Sequence, residues 1–233
     1  MTSRAAIRAI LFDKDGTLTD FHATWDGWVG DVVADLAEAT GACADRVADA
    51  IGYDRARGRL RPDGRFVTAT NAETLAALAA PTGWSVARLS DWLGRRPDAV
   101  HQVPAVRTGP LLAGLRDRGL RLGVLTNADR IEAEAHLDAL GAWPHLDALV
   151  AADDGHGAKP DPAGARAFAA AMDLDPGSVL VVGDGWTDAA AARGAGMPFV
   201  AVLTGTAGAA AFPDALAVLP DIGHLPRWLD GRG

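Results

Sequence analysis

Apolar runs that stop abruptly at polar, glycine-containing loops punctuate this chain. The first spans residues 6–12 and ends at Asp13-Lys14-Asp15-Gly16, the pattern of a buried strand running into a loop. Four more such runs follow, at 121–125, 148–151, 179–182 and 199–203. Helical patterns lie between them. One opens at Thr108-Gly109-Pro110, with the proline read as an N1 residue, where its missing N–H is not needed. Another covers 131–140 and closes on Gly141. Two more cover 162–172 and 187–193, the last followed by Gly194 and Gly196. Strands alternating with helices predict an α/β fold whose parallel sheet is covered on both faces.

Residues 20–103 break that rhythm. They hold no convincing strand, only helical patterns at 25–39, 45–51, 72–80 and 85–93. Thr70 and Glu73 stand at capping-box spacing before the third of these. A parallel crossover needs only ~30 residues, far fewer than separate the first two strands. The simplest reading is an all-helical insertion directly after the first strand. The predicted organisation is a core of 1–19 and 104–233 with a helical cap at 20–103. No internal repeat or low-complexity linker interrupts it.

Composition narrows the partners. Hydrophobic residues make up 49% of the 233 and charged residues 22%, which excludes a disordered or collagen-like chain. A net charge of −8 and a pI of about 5.1 disfavour nucleic acid and anionic membrane as main partners. No run approaches the ~20 apolar residues of a membrane span, and the start lacks a signal-peptide core. A soluble, cytoplasmic location is expected. Cys43 is the single cysteine, which excludes an internal disulfide or a CxxC zinc site and suits a reducing compartment. It is expected to be a small buried residue of the cap. Only Lys14 and Lys159 among the 22 basic residues are lysines. A chain that otherwise uses arginine has kept lysine in two places.

Ligands of open α/β sheets bind beyond the carboxyl ends of the strands. Asp13-Lys14-Asp15-Gly16-Thr17 follows the first strand, and Thr126-Asn127 follows the second. Lys159-Pro160-Asp161-Pro162 comes a few residues after the third, and Gly183-Asp184-Gly185-Trp186-Thr187-Asp188 follows the fourth. Carboxylates, a hydroxyl and a lysine thus converge on one edge. Four carboxylates would repel one another without a cation among them. Oxygen donors with no His or Cys select a hard ion such as Mg²⁺.

In order and spacing, these four motifs resemble those of the haloacid dehalogenase-like hydrolase superfamily. The resemblance spans the whole chain when 20–103 is taken as the helical cap that the family inserts after its first motif. It implies a Rossmann-like core and a helical-cap phosphatase, phosphoglycolate phosphatase-like, acting on a small anionic phosphorylated metabolite. Asp13 would be the nucleophile that becomes an aspartyl-phosphate. Asp15 would protonate the leaving oxygen and then activate water. Thr126 and backbone N–H groups near Asp15, Gly16 and Asn127 would bind phosphoryl oxygens, and Lys159 would neutralise both nucleophile and transferring group. Mg²⁺ would sit on the Asp13 carboxylate, the Asp15 carbonyl and Asp184, with Asp188 directly or through water. A cap that closes would exclude bulk water.

The same resemblance sorts the alternatives. Superfamily dehalogenases lack an acid at the position of Asp15, and the phosphonate-cleaving branch uses a cap lysine that residues 20–103 do not contain. The ion-pumping ATPases have Thr where Asp15 stands. A sugar phosphomutase, β-phosphoglucomutase-like, is the runner-up; the Gly-Asp-x-x-x-Asp form of the last motif favours the phosphatase. A non-catalytic regulatory or binding protein on the same fold comes third, since every catalytic position is filled. Lys14 departs from the family pattern, in which an apolar residue is common, and has no chemical explanation from sequence.

Cap positions admit two readings. Arg55, Arg57, Arg59, Arg61 and Arg65 crowd one predicted loop with Tyr53. They form either a solvated face or forks for an anionic leaving group. His22, Trp25 and Trp28 follow the first motif and either line a cleft or pack a core. Trp186 would wall the site. The specificity candidates are therefore His22, Trp25, Tyr53, Arg55, Arg57 and Trp186. No GxSxG elbow, GKS/GKT loop or GxGxxG fingerprint is present, and no sequence feature assigns an oligomeric state.

Overall fold

The computed structural model describes residues 6–96 and 100–231. The chain forms two compact units, Met1–Asp20 with Pro104–Gly233, and Phe21–Val103. The chain begins with β1 (Ala9–Phe12). The second unit then contributes α1 (Phe21–Thr40), α2 (Ala44–Ile51), β2 (Tyr53–Asp54), β3 (Arg59–Leu60), α3 (Arg65–Thr68), α4 (Asn71–Thr82) and α5 (Val86–Gly94). Back in the first unit come α6 (Thr108–Asp117), β4 (Arg121–Leu125), α7 (Arg130–Ala139), β5 (Ala148–Val150) and α8 (Ala163–Ala171). β6 (Val179–Gly183), α9 (Trp186–Ala195), β7 (Phe199–Val202), β8 (Val218–Leu219) and α10 (Leu225–Asp230) complete it.

The six core strands run β5-β4-β1-β6-β7-β8, and every neighbouring pair is parallel. Such strands are buried on both faces, which is why they read as unbroken apolar runs. Side chains alternate between two layers. Ile10, Phe12, Leu122, Val124, Leu180 and Val182 pack on one face with Leu112 and Leu115 of α6, Leu137 of α7 and Leu225 of α10. Ala9, Leu11, Leu125, Val179 and Val181 pack on the other with Phe168 of α8 and Ala192 of α9. β1 lies centrally: the chain moves from it to β4 and β5 on one side, then returns to β6 on the other. The strand order reverses there, and the reversal opens a crevice at the carboxyl ends.

The second unit has its own core, in which α1 supplies Trp25, Val29, Val33 and Leu36 against Val47, Ile51, Leu78 and Leu89. Thr70 caps α4 through the reciprocal bonds that its spacing with Glu73 predicts. The unit is not wholly helical. β2 and β3 pair antiparallel inside the arginine-rich stretch, with Leu60 N donating to Asp26 Oδ1 at 3.0 Å. Two residues a side are too few to show a period of two. β8 likewise escaped the sequence pattern, being a two-residue edge between Pro213 and Pro220. Pro110 is the third residue of α6 rather than its first, still within the turn whose N–H groups have no helical partner. Cys43 is exposed, against expectation. It occupies the N-cap position of α2 with extended backbone, so helical spacing does not carry it onto the buried face of Val47, Ala48 and Ile51. No helix among the described residues is long and apolar enough to cross a membrane.

Candidate active site

Each strand end of the central crevice delivers one polar group. Asp13 follows β1 and its N–H donates to Val182 O of β6 at 2.8 Å, which extends the sheet to the carboxylate itself. Thr126 follows β4, with its N–H on Val150 O (3.0 Å) and its hydroxyl oxygen accepting from Ala128 N (3.1 Å). Asp184 follows β6, and Asp188 is the third residue of α9. Lys159 comes from the loop between β5 and α8. The Asn127 side chain brackets it, donating to Lys159 O (3.0 Å) and accepting from Lys159 N (2.8 Å).

Asp13, Asp184 and Asp188 are buried, and one carboxylate oxygen from each lies within 4.8 Å of the other two. Lys159, also buried, donates to Asp13 and, at 2.7 Å, to Asp188. Asp188 turns its second oxygen to Gly185 N at 3.0 Å, so it caps α9 and faces the lysine at once. Three carboxylates against one ammonium leave two negative charges uncompensated in a water-poor site. Burial first, then Asp188, push Asp13 up to about 6 against the pull of Lys159. Burial and then Asp13 and Asp188 push Asp184 well above the carboxylate range. Burial works against the charge on Lys159, but Asp13 and Asp188 outweigh it and raise its pKa. Burial and mutual repulsion thus oppose ionisation of Asp13 and Asp184, and a bound cation would relieve both. The cluster's all-oxygen donors and its charge deficit of two fit a hard divalent ion.

The family model for haloacid dehalogenase-like hydrolases matches residues 7–196. The chain belongs to that family. The phosphoglycolate phosphatase of Rhodospirillum rubrum is 33% identical to this hydrolase over 231 residues, covering 95% of this chain and 90% of that protein. The N-acetylmuramic acid 6-phosphate phosphatase of Pseudomonas putida is 33% identical over 201 residues, covering 85% and 84%. Among solved structures, CbbY from Rhodobacter sphaeroides in complex with phosphate superposes with a TM-score of 0.69 at 23% identity, covering 94% and 96%. L-2-haloacid dehalogenase from Xanthobacter autotrophicus superposes at 0.61 and 20%, covering 97% and 100%. At such identities the structures attest the shared fold. The hydrolase is a phosphatase of this family, with a buried aspartate cluster suited to a divalent metal.

Thr17 and Gly16 of the first motif also shape the hydrolase's cluster, together with Thr204 and Gly205, which were not singled out from sequence. Thr17 Oγ1 donates to Asp184 Oδ1 at 3.2 Å, and Thr204 Oγ1 donates to Gly16 O at 2.6 Å. Gly16, with φ of +84°, and Gly205 flank the Asp184 carboxylate so tightly that a Cβ on either would overlap it. Thr204 and Gly205 follow β7. Carrying the search for strand-end residues to the fifth predicted strand would have found them.

Asp15 stands apart from the three clustered carboxylates. Its side chain is 22% exposed; Oδ1 accepts from Lys14 Nζ at 2.9 Å, and Oδ2 lies 2.7 Å from the same ammonium. Trp186 is half exposed and lines a surface cavity with Arg193, Met197, Phe199 and Phe212. The remaining specificity candidates lie in the second unit. His22 Nδ1 sits 2.8 Å from Asp26 Oδ2, while Trp25 is buried edge-on against Trp28 and Phe66. Tyr53 is buried in the same core. Four of the five arginines have carboxylate partners within their own unit: Arg55 with Asp45, Arg57 with Asp54 at 3.1 Å, Arg59 with Asp26 at 3.4 Å and Arg61 with Asp49 at 3.6 Å. All four of these arginine side chains are exposed.

Proposed function

We propose that this phosphatase hydrolyses small anionic phosphate monoesters with Mg²⁺ as its metal and Asp13 as its nucleophile. The observation that carries the reading is the Lys159 ammonium, bonded to Asp13 and Asp188 beside Asp184. An anionic carboxylate attacking an anionic phosphate needs positive charge fixed in place beforehand, and preorganised charge is usually the largest catalytic contribution. Asp13, Asp184 and Asp188 would hold Mg²⁺, which when bound supplies charge neutralisation for nucleophile and phosphate together.

In the first step an Asp13 oxygen bonds to phosphorus, the ester P–O bond breaks, and the proton of Asp15 passes to the departing oxygen to give the alcohol. In the second, water attacks phosphorus, Asp15 takes its proton, and the acyl-phosphate P–O bond breaks to return Asp13. Thr126 and the backbone N–H groups of the Asp15–Gly16 turn and Asn127 would orient the phosphoryl oxygens. Phosphoglycolate is the first substrate to try, because the Rhodospirillum rubrum relative matches 95% of this chain. The paired cap arginines add no support for it.

A panel containing phosphoglycolate, N-acetylmuramic acid 6-phosphate and a sugar 1-phosphate tests the reading through Mg²⁺-dependent release of free phosphate. Wild type is expected to release phosphate, with phosphoglycolate among the best substrates, and Asp13→Asn to release none. Turnover by Asp13→Asn sinks the nucleophile assignment. Conversion of the sugar 1-phosphate to its 6-phosphate without free phosphate sinks the hydrolytic one.

A further inference from the structure

Lys14 has no place in the two steps above, yet it is completely buried. Its ammonium contacts both Asp15 oxygens and, at 2.9 Å, His136 Nδ1 on α7. An ammonium only donates, so Nδ1 is the acceptor and the ring carries its proton on Nε2. Burial, then the charge of Lys14, hold His136 neutral at about 4, consistent with that role. Glu132 Oε1 lies 3.8 Å from the same Nδ1, one helical turn back.

A buried ion pair is weak evidence of a stabilising role, since an apolar side chain of similar volume often serves stability as well or better. Here the chain spends one of its only two lysines inside the turn that carries the proposed acid. Lysine presents a compact charge on a flexible stem, where arginine's planar fork would impose its own geometry. The backbone of the turn is held separately: Lys14 O accepts from Leu18 N at 2.9 Å. The backbone hydrogen bonds of the turn do not involve the side chain, whose ammonium reaches Asp15 and His136.

We infer that Lys14 is a positioning residue for Asp15: its ammonium, fixed by His136, takes one carboxyl oxygen as acceptor, so that the other, which carries the proton in the first step, keeps one orientation toward the ester oxygen. The inference rests on Asp15 acting as the acid. Proton transfer matters for esters with strongly basic leaving oxygens and little for acidic phenols. Lys14 should therefore set the leaving-group dependence of kcat/KM, which reports the steps up to phosphoryl transfer.

The test measures kcat/KM at saturating Mg²⁺ for a series from p-nitrophenyl phosphate to alkyl phosphates, in wild type, Lys14→Met, His136→Leu and Asp15→Asn. Lys14→Met is expected to lose about 10–100-fold on alkyl phosphates and less than about 3-fold on p-nitrophenyl phosphate, steepening the dependence. His136→Leu keeps the ammonium but removes its anchor, and should steepen the dependence by less. Lys14→Gln, which retains a donor, should fall between wild type and Lys14→Met. If Lys14→Met does not fold, His136→Leu decides: a steeper dependence supports the inference, and one parallel to wild type overturns it. Steepening in Asp15→Asn but in neither Lys14→Met nor His136→Leu also overturns it. A uniform loss across the series in Asp15→Asn instead removes the acid assignment beneath it, and the inference with it.

Discussion

Removing Lys159 puts the electrostatics of the cluster to the sharpest test. Lys159→Met deletes the buried ammonium while leaving Asp13, Asp184 and Asp188 in place. Taking one partner from a buried ion pair typically costs about 3–5 kcal/mol, because the charge left behind has lost both water and counter-ion. For a chain of this size each kcal/mol moves the melting temperature by about 2–4 °C, so the metal-free variant should melt about 6–20 °C below wild type. The deficit should depend on pH with a definite sign. Asp13 is raised in the fold to about 6 from an ordinary 3.8. Its ionisation therefore weakens the fold as pH rises through that value, and the ammonium offsets this only where the carboxylate is charged. The gap between variant and wild type should be widest near about pH 8 and should narrow toward about pH 5. Added Mg²⁺ should raise the melting temperature of the variant more than that of wild type, since the variant's cluster is more negative. Thermal scans with chelator and with Mg²⁺, at both pH values, read all three effects. A variant that melts with wild type in chelator near about pH 8 would falsify the assignment of Lys159 as the cluster's counter-charge.

Three further outcomes follow from the same structure. Gly205→Ala pushes a methyl group into the Asp184 carboxylate; the Mg²⁺ concentration giving half-maximal activity should rise by ~10–100-fold, the range for disturbed supports of metal ligands. Gly16→Ala adds a left-handed φ to the same collision, so it should lower both activity and melting temperature, whereas a wild-type melt and Mg²⁺ titration would refute the close approach. Asp154 accepts from Arg130 at 2.6 and 2.7 Å and from Ala151 N at 2.8 Å, and Arg130 holds its carboxyl below the ordinary range. Asp154→Asn should lower the melting temperature at neutral pH, and the difference should shrink as pH falls below about 4 and the wild-type carboxyl protonates.

The parallel core could be read from the sequence because burial on both faces writes each strand as an apolar run. The site could be read because each run stops at a polar group. Asp13, Asp184, Asp188 and Lys159 meet as those stops imply. What escaped is local or negative in character. The β2–β3 pair is fixed by a tertiary bond from Leu60 N to Asp26, which no period in the sequence encodes. Gly16 and Gly205 matter for the volume they leave empty beside Asp184, and a sequence does not display empty volume. Asn127 entered as a strand-end residue, but its side chain grips the Lys159 backbone from 32 positions away. Lys14 remained unexplained because its partner His136 lies on a helix 122 positions downstream.

The rarity of lysine has a practical consequence. With Lys14 fully buried and Lys159 6% exposed, every side-chain amine of this enzyme is sealed in or beside its reacting centre. Amine-directed acylating reagents can reach these nitrogens only when the surrounding structure opens. The rate at which mass spectrometry finds either lysine tagged becomes a covalent clock for that opening. Twenty arginines on the rest of the chain stay silent to the same chemistry.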